Sequence, residues 1–192
     1  MRTILILTIA FFQSVTLFAQ QLTTMEDLKS NNSDVIYQFK VADIYGGMFD
    51  LAQLEGKKIM IVNTASECGL TPQYEELQDL YSRFEQDNFI ILAFPANNFG
   101  QQEPGTNQSI MTFCSTRFGV SFPMMSKISV TGEEIHPLYM FLTTKKLNGL
   151  ADSEVKWNFQ KYLIDAKGKL SMIIQPNVSP LDRSVLNWIE SH

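Results

Sequence analysis

The sequence is poor in cysteine, histidine and positive charge, and each shortage excludes a class of protein. Two cysteines and two histidines among 192 residues cannot form a disulfide scaffold and do not resemble a zinc site. Fifteen Lys+Arg against 20 Asp+Glu give a net charge of -5, so the chain lacks the basic footprint that nucleic acid or an anionic membrane requires. Because 45% of the residues are hydrophobic, we expect a globular domain. We expect neither a metal ion nor a cofactor.

The first 20 residues have the pattern of a secretory signal peptide. Arg2 precedes an apolar stretch over residues 4–12, and the small residue Ala19 stands near the end of the segment. That stretch is too short for a membrane span, which needs roughly 20 apolar residues. The alternative is a buried amphipathic helix, although polar residues interrupt its apolar face. We therefore predict a signal peptide at 1–20, a mature domain at 21–192, and export to the periplasm or the medium, where a disulfide can persist.

Predicted strands and helices alternate along the mature chain. Continuous apolar runs at 57–63 and 88–94 are typical of strands buried on both faces, and Thr71-Pro72 predicts a helix with Thr71 as its N-cap. This order indicates an α/β fold, a thioredoxin-like three-layer α/β/α sandwich with a mixed central sheet and an N-terminal β-hairpin. The remaining predictions are strands at 35–41, 48–51, 161–165 and 169–174, and helices at 71–86, 107–118, 137–145 and 180–191.

Cys68 stands where the first buried strand gives way to a helix, at the sheet edge where such folds place their chemistry. The helix that begins near Thr71 directs free N–H groups and the positive end of its dipole towards this loop, which stabilises a thiolate. Glu67 has the opposite effect, and we expect its side chain to point to solvent. A buried structural cysteine is the alternative, but the flanking Glu67 and Gly69 favour a reactive thiol.

Three separated segments resemble the motifs of the glutathione peroxidase family. Residues 62–74 (VNTASECGLTPQY) resemble the active-site signature, residues 94–105 (FPANNFGQQEPG) the second motif, and residues 156–159 and 161–165 (KWNF, KYLID) the third. The likeness runs in the same order from about Val35 to the C-terminus. It implies the thioredoxin fold and a peroxidase that reduces hydrogen peroxide or organic hydroperoxides.

The resemblance assigns roles to individual residues. The thiolate of Cys68 is expected to attack the peroxide and become a sulfenic acid, while Trp157 and Asn158 supply N–H donors. For Trp157 the alternative is a core aromatic residue. The chain departs from the family at Asn98, where the second motif carries a glutamine. Asn98 either keeps the amide's role through a backbone shift or a bridging water, or leaves it to Asn97.

Cys114 bears on the identity of the reductant. It follows Cys68 by 46 residues, at a helix position where many cysteine-containing members of the family carry a resolving cysteine and are reduced by thioredoxin. The resemblance therefore implies a Cys68–Cys114 disulfide that is recycled by a thioredoxin-like protein, with glutathione as the other candidate. An inert core cysteine is the alternative, because a disulfide needs Cα atoms within about 7 Å and the helix must unwind locally to allow this.

The sequence also bears on assembly and on other functions. Only 14 residues separate Leu142 from Trp157, so the insertion associated with tetrameric relatives is missing and a monomer is expected. A peroxide sensor that relays oxidation to a partner protein, and a non-catalytic interaction protein with the same fold, remain as alternatives to the peroxidase.

Overall fold

A computed structural model describes residues 34–191; the predicted signal peptide at residues 1–20 lies outside them. The strands are β1 Lys40–Ala42, β2 Met48–Asp50, β3 Lys58–Thr64, β4 Phe89–Pro95, β5 Lys161–Ile164 and β6 Leu170–Ile174. The α-helices are α1 Gln73–Phe84, α2 Asn107–Phe118, α3 Pro137–Thr143, α4 Lys145–Asn148 and α5 Arg183–Glu190. Short 3-10 helices occupy Ile36–Gln38 and Leu51–Leu54. No helix within the described range is long and apolar enough to cross a membrane.

The central sheet has four strands in the order β4-β3-β5-β6. Strands β3 and β4 are parallel, whereas β5 is antiparallel to both β3 and β6. A separate antiparallel hairpin joins β1 to β2. The mixed sheet and the N-terminal hairpin confirm the predicted thioredoxin-like fold. They also place the C-terminal end of β3 beside the N-terminal end of β5, because the two strands run in opposite directions.

Helices cover both faces of the sheet. On one face, Met60 and Val62 of β3 belong to a buried cluster with Leu77 of α1 and Val185 of α5. On the other face, Tyr139 of α3 packs edge-on against the rings of a β4 phenylalanine and a β5 tyrosine, with centroids 5.9 and 6.0 Å apart. Successive side chains of β3 point to opposite faces of the sheet, and both faces are covered by helices. The strand is therefore buried throughout its length, except for Lys58 at its start.

The strand predicted at 35–41 is wrong in its first half. Ile36–Gln38 form a 3-10 helix, and the strand begins only at Lys40. Long-range contacts decide this: the Ile36 N–H donates to the carbonyl of Gly168 at 2.8 Å, and the Tyr37 ring covers Gly168 so closely that a Cβ there would lie 2.6 Å from it. Local alternation of apolar residues carries no information about such a contact.

The predicted start of the first long helix is also corrected. Helix α1 begins at Gln73, and Thr71 is not its N-cap. Instead, the Thr71 hydroxyl accepts a hydrogen bond from the Cys68 N–H at 3.0 Å and donates to the Ala65 carbonyl at 2.9 Å. Thr71 therefore closes the loop between β3 and α1.

Two other helices differ from their predicted bounds. Thr144 separates α3 from α4 where a single helix was predicted at 137–145. The Asp182 carboxylate accepts a hydrogen bond from the Ser184 N–H at 2.8 Å, and this cap starts α5 at Arg183 instead of at residue 180.

Candidate active site

Cys68 lies in the loop that follows β3, at the edge of the sheet. The two hydrogen bonds of Thr71 hold this loop in a tight turn. The Leu70 N–H points at the cysteine and donates to Sγ at 3.4 Å. A backbone N–H stabilises negative charge on sulfur, because hydrogen bonds to an ionised acceptor are stronger than neutral ones. The local backbone therefore supplies a hydrogen-bond donor to the Cys68 sulfur.

A cavity of about 350 Å³ opens beside Cys68. The cysteine itself is 8% exposed, so a reactant reaches the sulfur through this opening. The last turns of α2 form the facing wall, where the Arg117 guanidinium lies over the rings of Phe113 and Phe118 at 5.8 and 5.7 Å. The space is large enough for a hydroperoxide with a small organic group. The lining residues are Ser66, Cys68, Gly69, Thr71, Pro72, Glu75, Phe113, Arg117 and Phe118.

Trp157 and Asn158 lie directly before β5, next to the end of β3. Asn63, the penultimate residue of β3, binds this segment twice: its side chain donates to the Trp157 carbonyl at 3.1 Å, and its carbonyl accepts from the Phe159 N–H at 2.6 Å. Residue Trp157 is 40% exposed, and its ring packs against the Phe99 ring with centroids 5.4 Å apart, which contradicts the alternative of a core aromatic residue. Asn158 is fully buried.

The Asn98 side chain is fully engaged elsewhere. Its Nδ2 donates to the Ser129 hydroxyl at 2.9 Å and to the Thr131 carbonyl at 3.3 Å, and its Oδ1 accepts from the Val130 N–H at 2.9 Å. The Asn97 oxygen accepts from the Glu103 N–H at 2.8 Å. The structure thus does not bring the Asn98 amide to Cys68, and Asn97 shapes its own loop.

Gln102 is a site residue that sequence reasoning missed. Its side-chain oxygen accepts a hydrogen bond from Asn158 Nδ2 at 3.0 Å, and its main-chain oxygen accepts from the Glu67 N–H at 3.0 Å. Gln102 therefore touches both the asparagine of the third motif and the residue that precedes Cys68. The available signal was its place in the second motif, four residues after the amide at position 98.

Glu103 is a second missed residue and the buried carboxyl nearest to the loop. The side chain is fully buried, and its Oε2 accepts from the Ser66 hydroxyl at 3.2 Å. Burial raises the pKa of Glu103 to about 7, and Glu67 adds to this, whereas the Ser66 hydrogen bond and the Lys127 charge act in the opposite direction. The carboxyl therefore changes its charge near neutral pH, below the loop that carries Cys68.

Cys114 lies in α2 and is fully buried, and both cysteines are free thiols. Burial raises the pKa of Cys114 to about 11, the neighbouring Tyr74 hydroxyl lowers it, and the charge of Glu103 raises it further. The buried Oε1 of Glu103 has no hydrogen-bond partner within residues 34–191. Cys114 is thus a protonated thiol in the resting structure, behind the wall of the Cys68 cavity.

In the described part of the chain, no three side chains of His, Cys, Asp or Glu come together as possible metal ligands. The chemistry available at this edge of the sheet is that of a thiol, a carboxyl and several amides.

Comparison with known proteins assigns the family. The glutathione peroxidase family model matches residues 36–143. Glutathione peroxidase-like peroxiredoxin 2 of Saccharomyces cerevisiae is 42% identical over 153 residues, which cover 78% of this chain and 93% of the yeast protein. Hydroperoxy fatty acid reductase gpx1 of Synechocystis sp. is 47% identical over 149 residues, which cover 74% of this chain and 86% of that protein.

A solved structure agrees with the sequence comparisons. The crystal structure of Trgpx in its apo form superposes with a TM-score of 0.64 at 35% identity, over 82% of this chain and 96% of that chain. The overall likeness therefore extends from the sequence motifs to the arrangement of the strands and helices. The chain belongs to the glutathione peroxidase family, and it is a thiol-dependent peroxidase with a thioredoxin-like fold.

Proposed function

We propose that Cys68 is the peroxidatic residue and that the protein reduces hydrogen peroxide or organic hydroperoxides. The thiolate attacks the terminal oxygen, the O–O bond breaks, and the products are a sulfenic acid on Cys68 and water or an alcohol, which takes up a proton. The observation that carries this proposal is the Leu70 N–H, which donates to the sulfur at the base of an open cavity. An inert structural cysteine has no need for such an opening.

Trp157 and Asn158 are the proposed N–H donors to the sulfur and to the peroxide oxygens. Asn63 binds their backbone to the end of β3, so both residues lie at the same edge of the sheet as Cys68. The exposure of the Trp157 ring leaves it accessible to a reactant, whereas the burial of Asn158 holds its amide in one orientation. Donors that are fixed before the reaction stabilise developing charge without a cost of reorganisation.

Cys114 is proposed to resolve the sulfenic acid. The Cys114 sulfur attacks the Cys68 sulfur, the S–O bond breaks, and water leaves with the thiol proton, so that a disulfide remains. The step requires α2 to open, because Cys114 is fully buried. Opening lets water reach the unpartnered Oε1 of Glu103, and a buried polar atom without a partner costs free energy in the closed state. The helix is also rich in Ser, Thr and Asn, which are modest helix formers.

The reductant is proposed to be a thioredoxin-like protein, with glutathione as the alternative. A protein dithiol reduces the Cys68–Cys114 disulfide by exchange: it donates two electrons and two protons, leaves as a disulfide itself, and returns Cys68 and Cys114 to thiols. The name of the yeast relative, a peroxiredoxin, supports a thiol reductant, and the name of the Synechocystis relative supports organic hydroperoxides among the substrates. We further propose that the protein is exported after removal of residues 1–20, and that it acts as a monomer.

Stopped-flow peroxide consumption with a thioredoxin system tests the cycle. We expect Cys68→Ser to lose all activity and Cys114→Ser to form a sulfenic acid at the normal rate but not to turn over with thioredoxin. Non-reducing mass spectrometry after one equivalent of peroxide should show a Cys68–Cys114 crosslink in the wild-type protein alone. Unchanged consumption in Cys68→Ser contradicts the proposal, and full turnover in Cys114→Ser contradicts the resolving step only.

A further inference from the structure

Gln102 and Asn158 form a hydrogen-bonded pair of amides beside the Cys68 loop. The Asn158 Nδ2 donates to Gln102 Oε1 at 3.0 Å, across 56 residues of sequence. We propose that Gln102 is a positioning residue for peroxide reduction, which fixes the Asn158 amide so that its second N–H serves the sulfur and the bound peroxide. This inference rests on the proposed function, in which Asn158 is a donor at Cys68.

The pair selects one orientation of the asparagine amide. A carboxamide has two N–H donors on one side and an acceptor oxygen on the other. The Gln102 oxygen can only accept, so it holds the Asn158 nitrogen towards itself and fixes where the second N–H points. The Asn158 oxygen is buried and has no partner within the described residues. It is therefore available to accept a hydrogen bond from the O–H of a hydroperoxide or from the alcohol product.

The backbone of Gln102 is bound to the loop that carries the cysteine. Its carbonyl accepts from the Glu67 N–H at 3.0 Å, and its own N–H donates to the Phe99 carbonyl at 3.2 Å. One residue thus connects the main chain next to Cys68 with the side chain of Asn158. A displacement of Gln102 changes the position of both groups at once.

Strained backbone stands next to both members of the pair. Gln101 has φ of 53° and Phe159 has φ of 68°, in the left-handed region that residues with a Cβ rarely adopt. Such strain persists where the surroundings enforce it, and it collects at functional sites. The Phe159 ring is held edge-on against the Tyr74 ring at 5.3 Å. The two strained residues flank the amides that face each other.

The second motif contains another amide, but its contacts exclude it from this role. Asn98 stands where the family resemblance places a glutamine. Its side chain forms three hydrogen bonds, with Ser129, Val130 and Thr131. Gln102 is the amide of the motif that reaches Asn158. The departure at position 98 therefore leaves Gln102 as the support for the donor.

The test is a single-turnover measurement of sulfenic acid formation on full-length reduced protein, with hydrogen peroxide as the probe. We expect Gln102→Met, which keeps the length but removes the acceptor, to lower the second-order rate constant at least tenfold. Alkylation of Cys68 by iodoacetamide should change less than threefold, because the thiol remains accessible. Equal losses in both reactions mean a merely structural role and overturn the proposal.

Three further variants make the result specific. Gln53→Met is the matched control at an exposed position, and it should react like the wild-type protein. In an Asn158→Ala background, Gln102→Met should cause less than a twofold further loss, since Gln102 acts through Asn158. A larger loss from Asn98→Ala than from Gln102→Met contradicts the assignment of the supporting amide.

The outcomes also separate this inference from the proposed function. Gln102 is only partly buried, and Gln102→Ala repeats the measurement if the methionine variant does not fold. Wild-type protein that fails to form a sulfenic acid refutes the peroxidase cycle as a whole. Wild-type protein that reacts, together with Gln102→Met and Gln102→Ala variants that react equally fast, refutes the role of Gln102 alone.

Discussion

Replacing Glu103 with glutamine should remove a pH dependence of stability that one buried carboxyl creates. Burial raises the pKa of Glu103 from 4.5 to about 7 in the folded protein. The folded state therefore binds the proton more tightly than the unfolded state. Stability from this group is fully present below pH 4.5 and is lost as the pH rises through 7, because the unfolded chain binds fewer protons over that interval.

The size of the effect follows from the width of the interval. Each pH unit between the two pKa values changes the unfolding free energy by about 1.4 kcal/mol, so the total approaches about 3 kcal/mol. Lys127 attracts the carboxylate and Glu67 repels it, and the Ser66 hydroxyl remains a donor to either form. Glutamine resembles the protonated acid in shape and charge. Glu103→Gln should therefore match the wild-type protein at pH 4.5 and exceed its stability by about 3 kcal/mol at pH 8.

Urea unfolding under reducing conditions at pH 4.5, 6, 7 and 8 measures this difference. The exposed Glu133 supplies the matched control, and Glu133→Gln should follow the wild-type protein at every pH. Parallel stability curves for Glu103→Gln and wild-type protein refute the reasoning, because they show that the Glu103 carboxyl titrates alike in the folded and unfolded states.

Two further predictions concern the opening of α2 and the fluorescence change on oxidation. Gly119 ends α2 with φ of 62°, so Gly119→Ala should weaken the helix end by about 1 kcal/mol and speed disulfide formation after peroxide addition, as followed by quenched-flow mass spectrometry; an unchanged rate contradicts the need for α2 to open. Oxidation should change the fluorescence of Trp157, which lies beside the site, and not that of Trp188, which is bound to Ser171 on β6. The signal should disappear in Trp157→Phe and remain in Trp188→Phe, and the reverse result places the fluorescence change elsewhere.

The parts of the fold that follow from local pattern were predictable. The apolar runs of β3 and β4 indicate strands buried on both faces, and the structure has them within one residue of the predicted bounds. The segment at Ile36 was not predictable, because its conformation depends on the distant Gly168. Threonine is a common helix N-cap, but the Thr71 hydroxyl forms two hydrogen bonds within the Cys68 loop. These two bonds replace the single hydrogen bond that capping the helix would give.

The candidate site divides in the same way. The position of Cys68 between a buried strand and a helix marks it as a candidate, and the family motifs indicate Trp157 and Asn158 as further candidates. Gln102 was missed although it stands in the second motif, because its place there gives no sign of a partner 56 residues away. Asn98 shows the opposite case. The second motif indicates it as a site residue, but its side chain forms hydrogen bonds with the segment 129–131 instead.

The helix that encloses the Cys68 cavity also carries the buried Cys114, so the proposed cycle assigns two incompatible tasks to one element. In the proposed cycle, α2 has to unfold locally before the disulfide can form, and the pocket that receives the first peroxide is lost when it does. Until that happens, the sulfenic acid faces a cavity that admits a second peroxide, which oxidises it to a sulfinic acid. In this proposed cycle, the rate at which α2 unfolds sets the peroxide concentration at which the enzyme inactivates itself.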